Sequence, residues 1–113
     1  MKVENTKAQM RKGILEMCVL SIIAQKEVYP SDIIHSLKEA ELIVVEGTLY
    51  PLLSRLKNSG LVTYNWKESK SGPPRKYFQL TDQGTTFLNE LNKSWDKLVN
   101  TVQQTVKNLQ TNE

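Results

Sequence analysis

Residues 46–62 have the sequence EGTLYPLLSRLKNSGLV, and this stretch says more about the structure than any other part of the chain. Its leucines follow the i, i+3, i+4, i+7 spacing of one buried helix face. They are Leu49, Leu52, Leu53 and Leu56. Because Pro51 has no amide hydrogen and would clash with the carbonyl four residues earlier, the helix begins near Gly47. Gly60 ends it, and a strand follows at once.

The opposite face of this helix is polar and carries no acidic residue between positions 47 and 60. It consists of small side chains and one cation: Thr48, Pro51, Ser54, Arg55 and Asn58. Such a face suits a surface that lies against a polyanion. A helix of this kind leading into a basic hairpin is how winged helix-turn-helix proteins contact DNA, with residues 47–50 in the turn nearest the bases.

Two strands are predicted after this helix, over residues 61–68 and 75–80, because apolar and polar residues alternate there. The connection, SKSGPP at residues 69–74, is rich in turn-forming residues. Residues 47–80 contain six cations and one anion, a net charge of +5, whereas the whole chain has +3. The remainder therefore carries −2, and a basic segment in an acidic frame is typical of a nucleic-acid interface.

The flanking sequence predicts three further helices. The first runs from Thr6, where TKAQ has capping-box form, to about Gln25, and it is apolar on nearly all sides. The second begins at Pro30. Residues 42–45, LIVV, are predicted to form a short buried connection or strand. The last helix has Thr81 as its N-cap and ends near Leu109, with residues 110–113 frayed.

The last helix carries a nearly heptad apolar seam, which indicates packing against a second helix. Its members are Leu88, Leu91, Trp95, Leu98, Val102, Val106 and Leu109. We expect its partner to be the same helix, or the first helix, of a second subunit in a homodimer. The fold class is therefore mostly α with a small β-hairpin (α+β), a winged helix-turn-helix with a C-terminal dimerisation helix. Residues 1–81 would form the DNA-binding domain and residues 82–113 the dimerisation helix.

Composition and motifs argue against other classes of protein. No apolar run approaches the roughly 18–20 residues of a membrane span, and the N-terminus does not resemble a signal peptide. A single cysteine, Cys18, forms no internal disulfide and suits the cytoplasm. His35 is the only histidine, so no metal site is expected. The glycines form no phosphate-binding loop and the acidic residues form no catalytic pair, so we expect neither catalysis nor a cofactor.

Binding to double-stranded DNA is the function that these observations favour. The candidate contacts are Thr48, Tyr50, Pro51, Ser54 and Arg55 on the helix, and Lys70, Arg75 and Lys76 on the hairpin. Arg55 is long enough to reach a phosphate or a guanine edge. Two alternatives stay open: Tyr50 could be partly buried beside Leu53, and any one lysine could be a solvated surface charge.

The chain resembles the PadR family of regulators. The resemblance rests on GTLYPLLSRL at residues 47–56, on GLV at 60–62 and on GPPRKYFQLTDQG at 72–84. The single short C-terminal helix resembles the smaller subfamily. This resemblance implies a homodimeric winged-helix repressor that binds inverted repeats at promoters and dimerises through its last and first helices.

The role of Trp95 can be interpreted in two ways. By position it is a packing residue in the dimer seam, or it lines a cavity between subunits where flat apolar ligands stack. The family resemblance adds weight to the second without deciding between them, because drug-sensing small members have a tryptophan at the matching position that stacks on aromatic drugs. A small aromatic or cationic effector is therefore a second expected partner. The alternative function is a winged-helix adaptor for another protein, or a ligand sensor that does not bind promoters directly.

Overall fold

The structure is a computed structural model that describes residues 1–111. Within these residues the elements are α1 (Val3–Gln25), α2 (Pro30–Glu39), α3 (Glu46–Asn58), β1 (Val62–Ser69), β2 (Gly72–Leu80) and α4 (Asp82–Thr111). The predicted fold class, mostly α with one antiparallel hairpin, is confirmed. Across the described residues, no helix is both long enough and apolar enough to cross a membrane.

One hydrophobic core joins the helices and the hairpin. The predicted leucine stripe of α3 lies at its centre, since all four leucines are 3% exposed or less. The other elements contribute Val19, Leu20 and Ile23 from α1, Ile33 and Leu37 from α2, Phe78 from β2 and Leu88 from α4. The i, i+3, i+4, i+7 spacing therefore identified the buried face of α3 correctly.

The start of α1 differs from the sequence prediction. The helix begins at Val3 with Lys2 as its N-cap, and the capping box predicted at Thr6 is wrong. No glycine or proline interrupts residues 3–5, so each further residue that joins the helix adds a backbone hydrogen bond. Glu4 lies in the first turn, where its charge suits the positive end of the helix dipole, and it pairs with Lys7 at 3.5 Å.

The connection between α2 and α3 is neither a strand nor fully buried. Leu42 and Val44 are half-buried, but Ile43 and Val45 are 77% and 64% exposed. The turn before it places Glu41 at a φ of 65°, and the amide of Leu42 donates to the carbonyl of Leu37. Among the described residues, no strand lies beside residues 42–45 to pair with them. Their side chains point alternately toward the core and toward solvent, so every second side chain is exposed.

The hairpin is longer and tighter than its sequence suggested. The strands are connected by Lys70 and Ser71 alone, so the predicted six-residue loop is wrong. Pro73 and Pro74 lie inside β2, where Lys67 pairs with Arg75 and Ser69 with Gly72. Two residues of β2 therefore face one residue of β1. A bulge of this kind is one of the few places where strand prolines cost no ladder hydrogen bond.

A clasp of hydrogen bonds joins the end of α3, both strand ends and the start of α4. The Thr81 hydroxyl lies 2.7 Å from the carbonyl oxygen of Gly60 and 3.0 Å from that of Leu61, and it accepts from the Gly84 amide at 2.9 Å. The Thr81 amide donates to the Leu61 carbonyl at 3.1 Å. Thr81 is thus the N-cap of α4, as its sequence predicted. Gly60 has a φ of 79°, which favours glycine.

Helix α4 runs about 45 Å at 1.5 Å per residue and leaves the core after its third turn. It ends at Thr111, two residues beyond the predicted end. Of the tail predicted to be frayed, residues 110 and 111 are helical and residues 112–113 lie outside the described residues. The seam positions divide into two groups. Leu88 and Leu91 pack on the core of their own chain, whereas Trp95, Leu98, Val102, Val106 and Leu109 are 41–67% exposed.

Replacing Gly84 with alanine should destabilise the protein severely. A β-carbon at this position would lie 2.0 Å from the carbonyl oxygen of Leu61, so the clasp would have to open. We expect Gly84→Ala to lower the free energy of unfolding by about 3 kcal/mol, measured by urea denaturation at a fixed protomer concentration.

Gly13→Ala is the matched control, because a β-carbon there meets no atom within 4 Å. Gly13 lies inside α1, so this change should raise the free energy of unfolding by about 0.5–1 kcal/mol. Equal stability of the two variants would show that the approach of α4 to Leu61 is not tight.

Candidate nucleic-acid interface

The polar face of α3 is exposed along its length. Thr48, Pro51, Ser54 and Arg55 are solvent-exposed, and Tyr50 is 48% exposed although Leu53 beside it is buried. This face exists because the leucines turn the other side of the helix into the core. Half-exposure of Tyr50 is compatible with both alternatives, contact with DNA and partial burial beside Leu53.

The structure brings part of the hairpin to this helix. A groove of about 570 Å³ separates α3 from the strands, and we call it the aromatic groove. The residues used below to define it are Tyr50 and Ser54 from α3, Tyr64 and Trp66 from β1, and Arg75 and Lys76 from β2. Four of the eight predicted DNA contacts therefore line one groove.

The other four predicted contacts lie outside the aromatic groove. Pro51 and Arg55 are exposed on α3, and Lys70 is exposed at the turn of the hairpin. Thr48 lies next to a second groove of about 380 Å³, which it shares with Arg11 and Lys12 of α1 and with residues 42–45. The first turn of α3 is therefore flanked by two further cations that the sequence did not connect with it.

Cations lie over aromatic rings on the groove side of the hairpin. The Nζ atom of Lys76 is 4.4 Å from the ring centre of Tyr64 and 5.3 Å from that of Trp66. Lys57 reaches the same tyrosine from α3, at 5.5 Å. Such contacts hold a cation in place without neutralising its charge. Alternation in β1 predicted that Tyr64 and Trp66 share a face, but nothing in the sequence placed that face opposite α3.

The edge of β2 that does not face β1 packs on the turn before α2. The Tyr29 and Tyr77 rings lie 3.8 Å apart, centre to centre, and Arg75 lies over Tyr29 at 5.1 Å. Val28 and Phe78 exchange two backbone hydrogen bonds, of 3.1 and 2.8 Å. These contacts connect residues about fifty positions apart in sequence and fix the hairpin against the helical core.

Lys67 continues this arrangement at the edge of the hairpin. Its Nζ atom is 4.6 Å from the centre of the Tyr77 ring and pairs with the carboxylate of Glu27. Lys67 is thus neutralised by an acidic partner, whereas in the described part of the chain the aromatic groove is lined by cations and by no acidic residue. The groove is the positively charged side of the hairpin.

Among residues 1–111, two ionisable groups have displaced pKa values. A side-chain hydrogen bond with Tyr29, followed by burial and the nearby Asp32 carboxylate, raises the pKa of Tyr77 to about 12, against a smaller opposing effect of Arg75. Burial raises the pKa of the Cys18 thiol in α1, which disfavours the reactive thiolate.

His35 lies on the exposed side of α2 and faces Glu39. In the part of the chain that the structure describes, no three metal-ligating side chains cluster.

The architecture defines the class of protein. A helix with an exposed polar face, packed on a helical core and followed by a basic antiparallel hairpin, is the winged helix-turn-helix of DNA-binding proteins. In this arrangement α3 corresponds to the recognition helix and the hairpin to the wing.

Comparison with known proteins narrows the class to a family. Residues 19–90 match the model of the transcriptional regulator PadR-like family. The chain therefore belongs to the PadR-like family of transcriptional regulators, as its motifs suggested.

Solved structures of family members share both sequence and fold with this chain. A PadR-like transcription factor from Bacteroides fragilis is 58% identical over 88% of this chain and 97% of its own, with a TM-score of 0.75. A PadR-family regulator from Eggerthella lenta is 33% identical, covers 92% and 91%, and has a TM-score of 0.85. A PadR-like regulator from Bacillus cereus is 40% identical, covers 87% and 96%, and has a TM-score of 0.78.

The raised pKa of Tyr77 predicts how the stability of the protein depends on pH. The folded protein holds the Tyr77 proton more tightly than the unfolded chain does. The protonated Tyr77 hydroxyl therefore contributes fully to the stability of the fold below pH 10.0, and this contribution is lost as the pH rises toward about 12. Tyr29→Phe removes the hydrogen-bond partner, so the pKa of Tyr77 should fall toward its ordinary value. Ultraviolet difference titration of the tyrosines measures this shift.

Tyr50→Phe serves as the control, because Tyr50 lies across the groove and outside the pair. Tyr50→Phe should leave the pKa of Tyr77 unchanged at about 12, so the titration should still show this tyrosine. If that tyrosine also persists in Tyr29→Phe, the hydrogen bond is not the main cause of the raised pKa.

Proposed function

We propose that this protein is a homodimeric repressor that binds an inverted-repeat operator in double-stranded DNA. The observation that carries the proposal is the convergence of α3 and the wing on a single basic surface. Ser54 and Tyr50 from the helix and Arg75 and Lys76 from the wing line one groove, and no acidic residue within positions 1–111 lines it. Phosphate binding needs uncompensated cations, and base readout needs polar side chains at the same surface.

In this proposal the eight contacts divide by role. The first turn of α3, with Thr48 and Tyr50, enters the major groove, and Pro51, Ser54 and Arg55 follow along the helix. The wing supplies Lys70, Arg75 and Lys76 to the backbone or the minor groove. Arg11 and Lys12 lie near Thr48, so α1 would add backbone contacts that the sequence did not suggest.

We further propose that α4 pairs with a second copy of the chain, so that residues 1–81 bind DNA and residues 82–113 dimerise. The exposed part of the seam supports this assignment, since large apolar side chains seldom line one face of a solvated helix. A two-fold axis would place two recognition helices about 34–36 Å apart, one turn of DNA, which requires an inverted repeat. Its site of action would be the cytoplasm, where the promoters are.

Trp95 belongs to the same seam, and we propose that it also contributes to a ligand site at the dimer interface. The ring is 41% exposed, so in a dimer it would face its symmetry mate or a cavity between subunits. A flat aromatic or cationic ligand that stacks there would alter the packing of the dimer and release DNA. The alternative is a protein-binding adaptor or a ligand sensor that does not bind promoters.

The proposed contacts with DNA predict two distinct phenotypes. Arg75→Ala should weaken binding to every sequence and lower the salt dependence, because a phosphate contact carries no sequence information. Thr48→Ala should change the order of preference among operator variants by about 1–3 kcal/mol per affected base pair. The measurement is a mobility shift on the protein's own promoter region, with competitor DNA and at two salt concentrations.

For the unmodified protein, affinity should fall roughly 10³–10⁵-fold between 50 and 200 mM salt if six to ten phosphates are contacted. Lys93→Ala is the charge-matched control, because Lys93 is exposed on α4. Binding that is insensitive to salt would count against this surface. A protein that shifts no promoter DNA but co-purifies with another protein would favour the adaptor.

The proposed dimer is tested by placing a charge in the seam. Val102 is 56% exposed, and Val102→Glu would bury two carboxylates at a two-fold interface. We expect dimerisation to weaken by about a hundredfold or more, measured by sedimentation equilibrium. Asn100→Glu adds the same charge at an exposed position on another side of the helix and should leave the dimer intact. Equal dimerisation of both variants would place the interface elsewhere.

A further inference from the structure

The aromatic groove has features that contact with a DNA backbone does not require. Its volume of about 570 Å³ lies within the roughly 300–1,000 Å³ typical of small-molecule sites. Its floor is apolar, since Leu53 and Phe78 are 2% and 5% exposed. Binding of DNA phosphates requires only cations at the surface of the protein. This groove is also deep and has an apolar floor, which are features of a small-molecule site.

Aromatic rings reach the groove from both of its sides. Tyr50 projects from α3 and is 48% exposed, while Trp66 on β1 is 61% exposed. Tyr64 lies between Trp66 and the core, with ring centres 6.1 Å from Trp66 and 5.5 Å from Phe78. Partly exposed rings offer stacking area at little cost in side-chain entropy. This lining favours a flat, unsaturated ligand.

The charge of the lining selects the sign of that ligand. Lys57, Arg75 and Lys76 line the groove, and none of its described lining residues is an aspartate or glutamate. Lys76 lies over two of the rings, so a ring stacked on Trp66 would have a fixed cation at its edge. A cationic ligand would meet three like charges and no counter-charge.

We propose that the aromatic groove binds a planar aromatic anion of small-molecule size. The ring system stacks on Trp66 and Tyr50, and the anionic group pairs with Lys76 and Arg75. The lining comes from the turn before α2, α2, α3 and the two strands, so this site is separate from Trp95 on α4.

Occupation of this site has a consequence for DNA binding, which rests on the proposed function. Ser54, Tyr50, Arg75 and Lys76 would serve both the ligand and the operator. The two therefore exclude each other, and the ligand releases DNA by direct competition instead of through the dimer interface.

The two tryptophans of the chain make the ligand test specific. Trp66 and Trp95 are its only tryptophans, so Trp95→Phe leaves the groove reporter alone and Trp66→Phe leaves the seam reporter alone. The probes are pyrene-1-sulfonate and 1-pyrenemethylammonium, which share one ring system and differ in charge. In Trp95→Phe we expect saturable quenching by the sulfonate and at least tenfold weaker quenching by the ammonium.

Lys76→Met removes the charge while keeping the apolar stem that covers the rings. It should weaken binding of the sulfonate about tenfold, as expected for loss of a charged partner. Lys93→Ala on α4 is the control and should leave the affinity unchanged. Equal affinity for the two probes, or saturable quenching of Trp95 without quenching of Trp66, would overturn the proposal.

Displacement of DNA is measured separately, so the two proposals fail in distinguishable ways. If the sulfonate binds at Trp66 and releases operator DNA in proportion to occupancy, both proposals are supported. If it binds at Trp66 and DNA remains bound, the ligand site stands but the operator does not occupy the groove. If DNA binds and no sulfonate does, the function stands and the ligand site is refuted.

Discussion

The structure depends most on the close approach of α4 to the carbonyl of Leu61. There Gly84 leaves no room for a side chain, and the Thr81 hydroxyl contacts the carbonyls of Gly60 and Leu61 while capping α4. Four elements meet at this point, because α3 ends and β1 begins on one side while β2 ends and α4 begins on the other. A hydroxyl that caps a helix and also fixes a neighbouring turn satisfies backbone groups that would otherwise be unpaired. The clasp therefore ties the end of α3 and both strand ends to the start of α4.

The hairpin is held from both of its sides by aromatic contacts. At the edge of β2, Tyr77 packs against Tyr29, and on the groove side the Tyr64 ring centre lies 5.5 Å from Lys57 Nζ of α3. Tyr64 also packs against Phe78, its partner across the two strands. A two-stranded hairpin alone is marginally stable in water, so these contacts supply the order that the sheet itself lacks. They also hold Arg75 and Lys76 near fixed positions over rings. Less side-chain entropy is then lost when these cations bind an anion.

How far the sequence predicts this structure depends on whether the signal is local. The stripe of α3 and the cap at Thr81 follow from spacing and end signals within each segment, and they are confirmed. Two predictions were wrong, the start of α1 and the length of the wing loop. A TKAQ motif does not stop a helix that can continue toward the N-terminus, and prolines at a bulge do not end a strand. The groove was missed because Tyr29, Tyr50 and Trp66 come from distant segments, and only the packed fold shows that their rings share one cavity.

The clasp also constrains how the protein could act as a dimer. Thr81 belongs at once to α4 and to the junction that follows α3, so the seam and the recognition helix are joined with no flexible linker between them. In the proposed dimer, the angle at which two α4 helices cross would then set the distance between two recognition helices. A ligand at Trp95 could change that distance without touching any DNA contact, whereas a ligand in the aromatic groove would block one half-site and leave the distance unchanged. The two sites would therefore control the same operator through different physical variables, spacing in one case and occupancy in the other.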